Sequence, residues 1–92
     1  MMTVWKTQID VKPGVHDIAV PSGAELLCVR EQHNKVAVWF WCDADQPPLS
    51  RKVALCETNS GAPTFDTGRY IGTVLFVGGS YCLHAFEQKD SS

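Results

Sequence analysis

The sequence predicts an all-β protein, a small antiparallel β-sandwich or barrel of about seven strands. Three observations predict it. Short runs rich in β-branched and aromatic residues recur along the chain, divided by turn signals at roughly 8–12-residue spacing. Several of these runs alternate side-chain character with a period of two, and none repeats at the helical period of 3.6. The third is Tyr70–Glu87, YIGTVLFVGGSYCLHAFE, in which Gly78-Gly79 supplies the positive φ that a two-residue hairpin turn needs. Pairing outward from that turn sets Leu75 opposite Cys82, Thr73 opposite His84 and Ile71 opposite Phe86. Phe76 with Tyr81, Val74 with Leu83 and Gly72 with Ala85 take the other face. Both faces are mostly apolar, so this hairpin is expected in the middle of the fold, with Leu75 and Phe86 in the core.

The elements follow in order. Thr3–Val11 alternates, with Val4, Lys6, Gln8 and Asp10 on a wet face and Trp5, Thr7, Ile9 and Val11 on the other. Pro13-Gly14 ends it, and Val15–Val20 forms a second strand that keeps His16, Ile18 and Val20 together before Pro21-Ser22-Gly23 breaks the chain. Glu25–Gln32 is the third strand, with Leu27 and Val29 expected inward and Cys28, Arg30 and Gln32 outward. His33-Asn34-Lys35 is a tight turn in which Asn34 suits a left-handed conformation. Val36–Cys42 is the fourth strand, with Val38, Phe40 and Cys42 inward and Ala37, Trp39 and Trp41 beside Arg30, close enough for a guanidinium to stack on an indole. Asp43–Ser50 reads as a loop because Pro47-Pro48 cannot continue a ladder. Arg51–Glu57 is the fifth strand, and Thr58–Arg69 is the longest irregular segment. Residues 1–92 form a single domain, with 88–92 a polar tail expected to fray.

Composition bounds the function. The chain is 45% hydrophobic and 20% charged, values of a folded globular protein rather than a disordered one. A net charge of −2 and a pI near 5.8 give no electrostatic footprint for nucleic acid or an anionic membrane. No apolar run approaches a membrane span, and the start MMTVWKTQIDV lacks the pattern of a signal peptide, so the protein is expected to stay in the cytoplasm. Cys28, Cys42, Cys56 and Cys82 each sit in an apolar run without metal-ligand spacing. They are expected to be buried and reduced.

The residues also carry a resemblance. Trp5-Lys6, Pro21, Gly23-Ala24, Leu27-x-Val29, Gln32, Trp39, Asp43 before a Pro-containing loop, Arg51, Tyr70-Ile71-Gly72-Thr73 and His84-x-Phe86-Glu87 resemble a family of short phage and prophage proteins that is itself a domain of unknown function. The likeness covers nearly the whole chain, and its most specific parts are the Tyr-Ile-Gly-Thr and His-x-Phe-Glu blocks. Members usually carry Thr-Gly-His in the loop before the last hairpin. This chain has Thr58-Asn59-Ser60-Gly61-Ala62-Pro63 there, so a role resting on that histidine has no counterpart. The resemblance implies a phage-related origin and no particular activity.

Chemistry-bearing patterns are sparse. Cys82 and His84 share a strand face, but that face reads as core, where a nucleophile would lack access to substrate; His84 is expected to bond Thr73 instead. His16 and His33, with only Asp17 and Asp66 to join them, do not make a converging metal site. Gly78-Gly79 precedes a strand rather than a helix N-terminus and so is no phosphate loop. Trp5, Trp39 and Trp41 could stack on bases, yet only Lys6 and Arg30 lie near them, so core packing is the default.

The expectation is a small non-enzymatic binding module, phage-encoded, that engages a host protein in the host cytoplasm in an accessory or counter-defence role. It needs no cofactor and no metal, and the charge argues against nucleic acid. The alternatives are a virion or assembly component, including a homo-oligomer joined through sheet edges, and a protein that sequesters a nucleotide using Arg30, Arg51 or Arg69. Because connections alternate between the two ends of an antiparallel fold, Lys12–Gly14, His33–Lys35 and Thr58–Arg69 should share one end. Phe65 as apolar anchor and Arg69 as charged contact, with His33 and Asp66 on the rim, are the expected partner-binding residues.

Overall fold

The computed structural model describes residues 1–59 and 67–88, and its architecture is a two-layer antiparallel sandwich. Its strands are β1 (Met2–Ile9), β2 (Gly14–Pro21), β3 (Glu25–Gln32), β4 (Lys35–Asp43), β5 (Pro48–Glu57), β6 (Thr67–Phe76) and β7 (Tyr81–Gln88). One sheet has the order β1-β4-β3 and the other β2-β5-β7-β6, so the two sheets stay separate and no barrel closes. The seven strands therefore resolve to the sandwich alternative.

The alternating residues explain the core. Ile9, Leu26, Val29, Val36, Val38, Phe40 and Cys42 face inward from the first sheet, and Ile18, Val20, Val53, Leu55, Val74 and Leu83 face them from the second. Leu26, Leu55 and Leu83 are fully buried, each worth about 1.5–3 kcal/mol over an exposed position. The β3–β4 turn is a two-residue one in which both His33 (φ 52°) and Asn34 (φ 62°) are left-handed, the geometry that matches strand twist.

Several expectations are corrected, each for a local reason. The β6–β7 hairpin keeps the expected register from Phe76–Tyr81 to Gly72–Ala85, but then a bulge places Tyr70, not Ile71, opposite Phe86. The bulge turns Ile71 into the core. Val74, Phe76, Leu83 and Ala85 form the inward face, so Leu75 points outward, 56% exposed, and Thr73, Cys82, His84 and Phe86 lie on the same outer side. The hairpin is also not central as a unit: β7 is internal, but β6 is an edge strand. Its turn takes four residues, Val77–Ser80, with Val77 (φ 52°), Gly78 (φ 64°) and Gly79 (φ 90°) all at positive φ.

A second bulge, between Leu26 and Cys28, sends Leu26 inward and leaves Leu27 exposed, reversing the face expected for Leu27. Pro48 belongs to β5, opposite Pro21 at the strand's first position, where a missing N–H is tolerated. All four cysteines are free, but only Cys42 is fully buried; Cys28, Cys56 and Cys82 are half-buried on outer faces.

The expected alternation of connections fails after β5. Both β5 and β6 pair antiparallel with β7, which lies between them, so they run parallel to each other. Glu57 is level with Leu83 near the start of β7, whereas Thr67 is opposite Gln88 at its end. The connection therefore leaves one end of the sheet and enters the other, and the Val77–Ser80 turn lies at the end expected for His33 rather than opposite it.

Candidate functional site

Pairing decides what each sheet shows to water. On the outer face of the first sheet, Val4 sits opposite Trp41 and Lys6 opposite Trp39, while Cys28 flanks Trp39 and Arg30 flanks Ala37 from the other side. Trp41 is 41% exposed and Val4 48%, and Leu27 is pushed out of β3 by its bulge. These residues make an apolar surface built around the central strand. Core packing was the expectation for the tryptophans, but the odd-numbered positions of Trp39 and Trp41 in β4 are opposite in phase to Val38, Phe40 and Cys42.

Cations border this surface. The Lys6 ammonium lies 6.0 Å from the centre of the Trp39 ring and donates to Gln32 Oε1 at 2.5 Å, and Gln8 reaches the same oxygen at 3.3 Å. Lysine thus occupies the indole where arginine was expected. This polar arch crosses β4 and covers Ala37, which explains why an outward-facing alanine is fully buried. Among the described residues Arg30 makes no ion pair, whereas Lys35, Arg51, Lys52 and Arg69 each face a carboxylate.

The outer face of the second sheet is different. Tyr70 and Phe86 meet edge-to-face at 5.6 Å, and Ala54 is buried between Val15 and Phe86. A hydrogen-bonded chain runs from Tyr70 Oη to Thr73 Oγ1 (2.5 Å), on to His84 Nδ1 (3.0 Å), and from His84 Nε2 to Thr58 Oγ1 (2.7 Å). The expected His84–Thr73 bond is present, though on an outer face, and both imidazole nitrogens are occupied. Burial pushes the neighbouring Cys56 thiol pKa up, which disfavours the reactive thiolate. Among the described residues no group of three His, Cys, Asp or Glu could hold a metal ion.

Of the expected partner-binding residues, the two that are described, His33 and Arg69, do not converge. Phe65 and Asp66 lie outside the described residues. Arg69 donates from Nε to Glu87 Oε1 at 2.9 Å and from Nη2 to the Leu26 carbonyl, fastening β6 to β3 across the two sheets. Arg51 completes the cluster, donating to Glu87 Oε2 at 3.1 Å and to the Ala24 carbonyl at 2.9 Å. His33 stands beyond the far end of β3, seven residues from Leu26 and so roughly 20 Å away along an extended strand. Arg69 and His33 are therefore parts of different regions. The residues that sequence reasoning passed over as a site are Val4, Leu27 and Trp41. Alternation already separated Trp41 from the core face, so that signal was legible; the bulge exposing Leu27 was not.

Residues 1–92 match the sequence model of a domain of unknown function, DUF7352, and the chain belongs to that family. No curated protein and no solved structure matches the chain.

Proposed function

We propose that this member of the family is a small non-enzymatic binding module, encoded by phage, that engages a host protein in the host cytoplasm through the outer face of the β1-β4-β3 sheet. The observation that carries the reading is the group of Trp41, Val4 and Leu27 exposed together beside Trp39, with Lys6 and Arg30 at its border. Tryptophan and arginine are the residue types that dominate interface energetics, and an apolar centre with a charged border is the anatomy of a protein-binding patch. A rigid sheet holds these side chains in place before binding, which lowers the entropic cost of association. The occupied nitrogens of His84 and the raised thiol pKa of Cys56 also favour binding over nucleophilic chemistry.

The test begins with affinity capture from host lysate, identification of the captured protein by mass spectrometry, and reconstitution with that purified partner. Trp41→Ala should weaken binding by about 2 kcal/mol, roughly thirtyfold in Kd, with melting unchanged. Leu75→Ala, on the opposite sheet, should leave Kd as it is. Equal affinity of the Trp41 variant and the parent, or loss confined to the Leu75 variant, would remove this face from the function.

A further inference from the structure

Four edges bound the two sheets: β1 and β3 in one, β2 and β6 in the other. β3 and β6 screen each other, approaching so closely at Gly72 that a Cβ there would lie 2.9 Å from Val29 Cγ2. β2 ends in Pro21, which has no N–H to offer a further strand. Proline and charge are standard protections of a strand edge. β1 has neither a proline nor a bulge, and its register with β4 runs unbroken from Met2 to Ile9. Its one charged side chain, Lys6, leans away from the edge across β4 to Gln32. Met2, Val4 and Trp5 remain exposed along it, Trp5 to 44% on the inward side.

We infer that β1 pairs antiparallel with β1 of a second copy, forming a two-fold dimer centred on Trp5. Opposed residues in an antiparallel pair share a face, so registers that keep the two sandwiches in line must centre on a single residue. Centring on Lys6 sets two lysines against each other. Centring on Val4 or Thr7 pairs only five residues of the strand. Centring on Trp5 pairs Met2–Gln8, with Thr3 opposite Thr7, Val4 opposite Lys6, and the two Trp5 rings side by side. The β1-β4-β3 sheets of both copies then form one continuous six-strand sheet. The contact is isologous and uses up the unprotected edge, so assembly stops at two. This inference is independent of the host partner, and its test needs none.

Analytical ultracentrifugation of the full chain should show a mass that rises with concentration from 10.2 kDa to twice that value. Val4 is exposed on the outer face, which makes it a register-specific probe. Val4→Lys opposes a cation to the partner subunit's Lys6 at two symmetric places and should weaken the dimer roughly two- to thirtyfold. Val4→Glu should tighten it over a similar range, and thermal melts confirm that both variants remain folded. A parent chain that stays at 10.2 kDa at its highest soluble concentration overturns the proposal. So does growth beyond two copies, or a dimer whose Kd responds equally to both substitutions.

Discussion

Along one long side of the sandwich the sheets are fastened together, and along the other they stand open. At the fastened side β3 and β6 approach until there is room only for a glycine at position 72, and Arg69 and Arg51 reach from the second sheet to the Leu26 carbonyl of β3 and the Ala24 carbonyl just before it, with Glu87 between them. At the open side β1 and β2 share no such cross-links among the described residues, and Trp5 projects partly into water. Both sides obey the same alternation and carry the same kind of apolar residues. The difference comes from a few exceptions: one absent Cβ, three breaks in strand register and three charged side chains. Closure of a sandwich edge is thus a property of particular residues rather than of the layer architecture, and an edge without them remains free to take a partner.

The largest test of that comparison is Gly72→Val. Gly72 has φ 145°, and a side chain there would strike Val29. Strained backbone and overpacking add, so the variant should lose about 3 kcal/mol or more in urea unfolding. Thr7→Val on β1 should change stability by less than about 0.5 kcal/mol. Comparable losses at the two positions would show that the two sides do not differ.

A middle-sized effect is expected from Glu87→Ala. The Glu87 side chain is 15% exposed and Arg51 is 19%, so removing the carboxylate leaves two guanidiniums facing each other at a partly dry seam. The expected loss is about 2 kcal/mol, read as a fall in the urea midpoint. Glu87→Gln, which keeps the shape and one acceptor, should recover part of it. Full stability of the alanine variant would mean that packing at Gly72 closes this side alone.

The smallest effect lies beside the open strand. The Met1 ammonium sits 2.7 Å from Asp43 and 2.6 Å from Asp45, and these bonds raise its pKa from 8.0 to about 10. A raised pKa means stability that is fully present below pH 8 and is lost as pH rises through 10. Because the groups are open to water, the change in melting temperature over that window should be slight, and acetylating the amine should abolish it. The same bonds hold Asp43 below the usual carboxylate range, so its share is lost only as the pH falls through that lowered pKa. A large alkaline drop would show that the beginning of β1 is tied down more firmly than its exposure suggests.

The fold was legible in the sequence wherever side chains alternate without interruption. Val36–Cys42 has the faces, and the hairpin from Phe76–Tyr81 to Gly72–Ala85 the register, that periodicity predicts. Bulges are invisible to a strict period of two, because an extra residue moves every later side chain to the other face. That is why Leu27 was given the wrong face and Ile71 the wrong partner. The parallel relation of β5 and β6 was illegible for a different reason: nothing local records which strand inserts between two others. The candidate surface was half legible, since Trp39, Trp41 and Arg30 were placed together, but their outward orientation depends on which face of the strand finds the second sheet.

The position of β7 between β5 and β6 has a consequence for biosynthesis. When β6 leaves the ribosome, its pairing partner does not yet exist, and β5 has only β2 beside it. Sheet closure waits for the final strand of the domain, which wedges in and joins the two halves at once. Completion of the second sheet is therefore held back until β7 is made, and a nascent chain arrested before Tyr81 would present β5 and β6 as unsatisfied edges to chaperones.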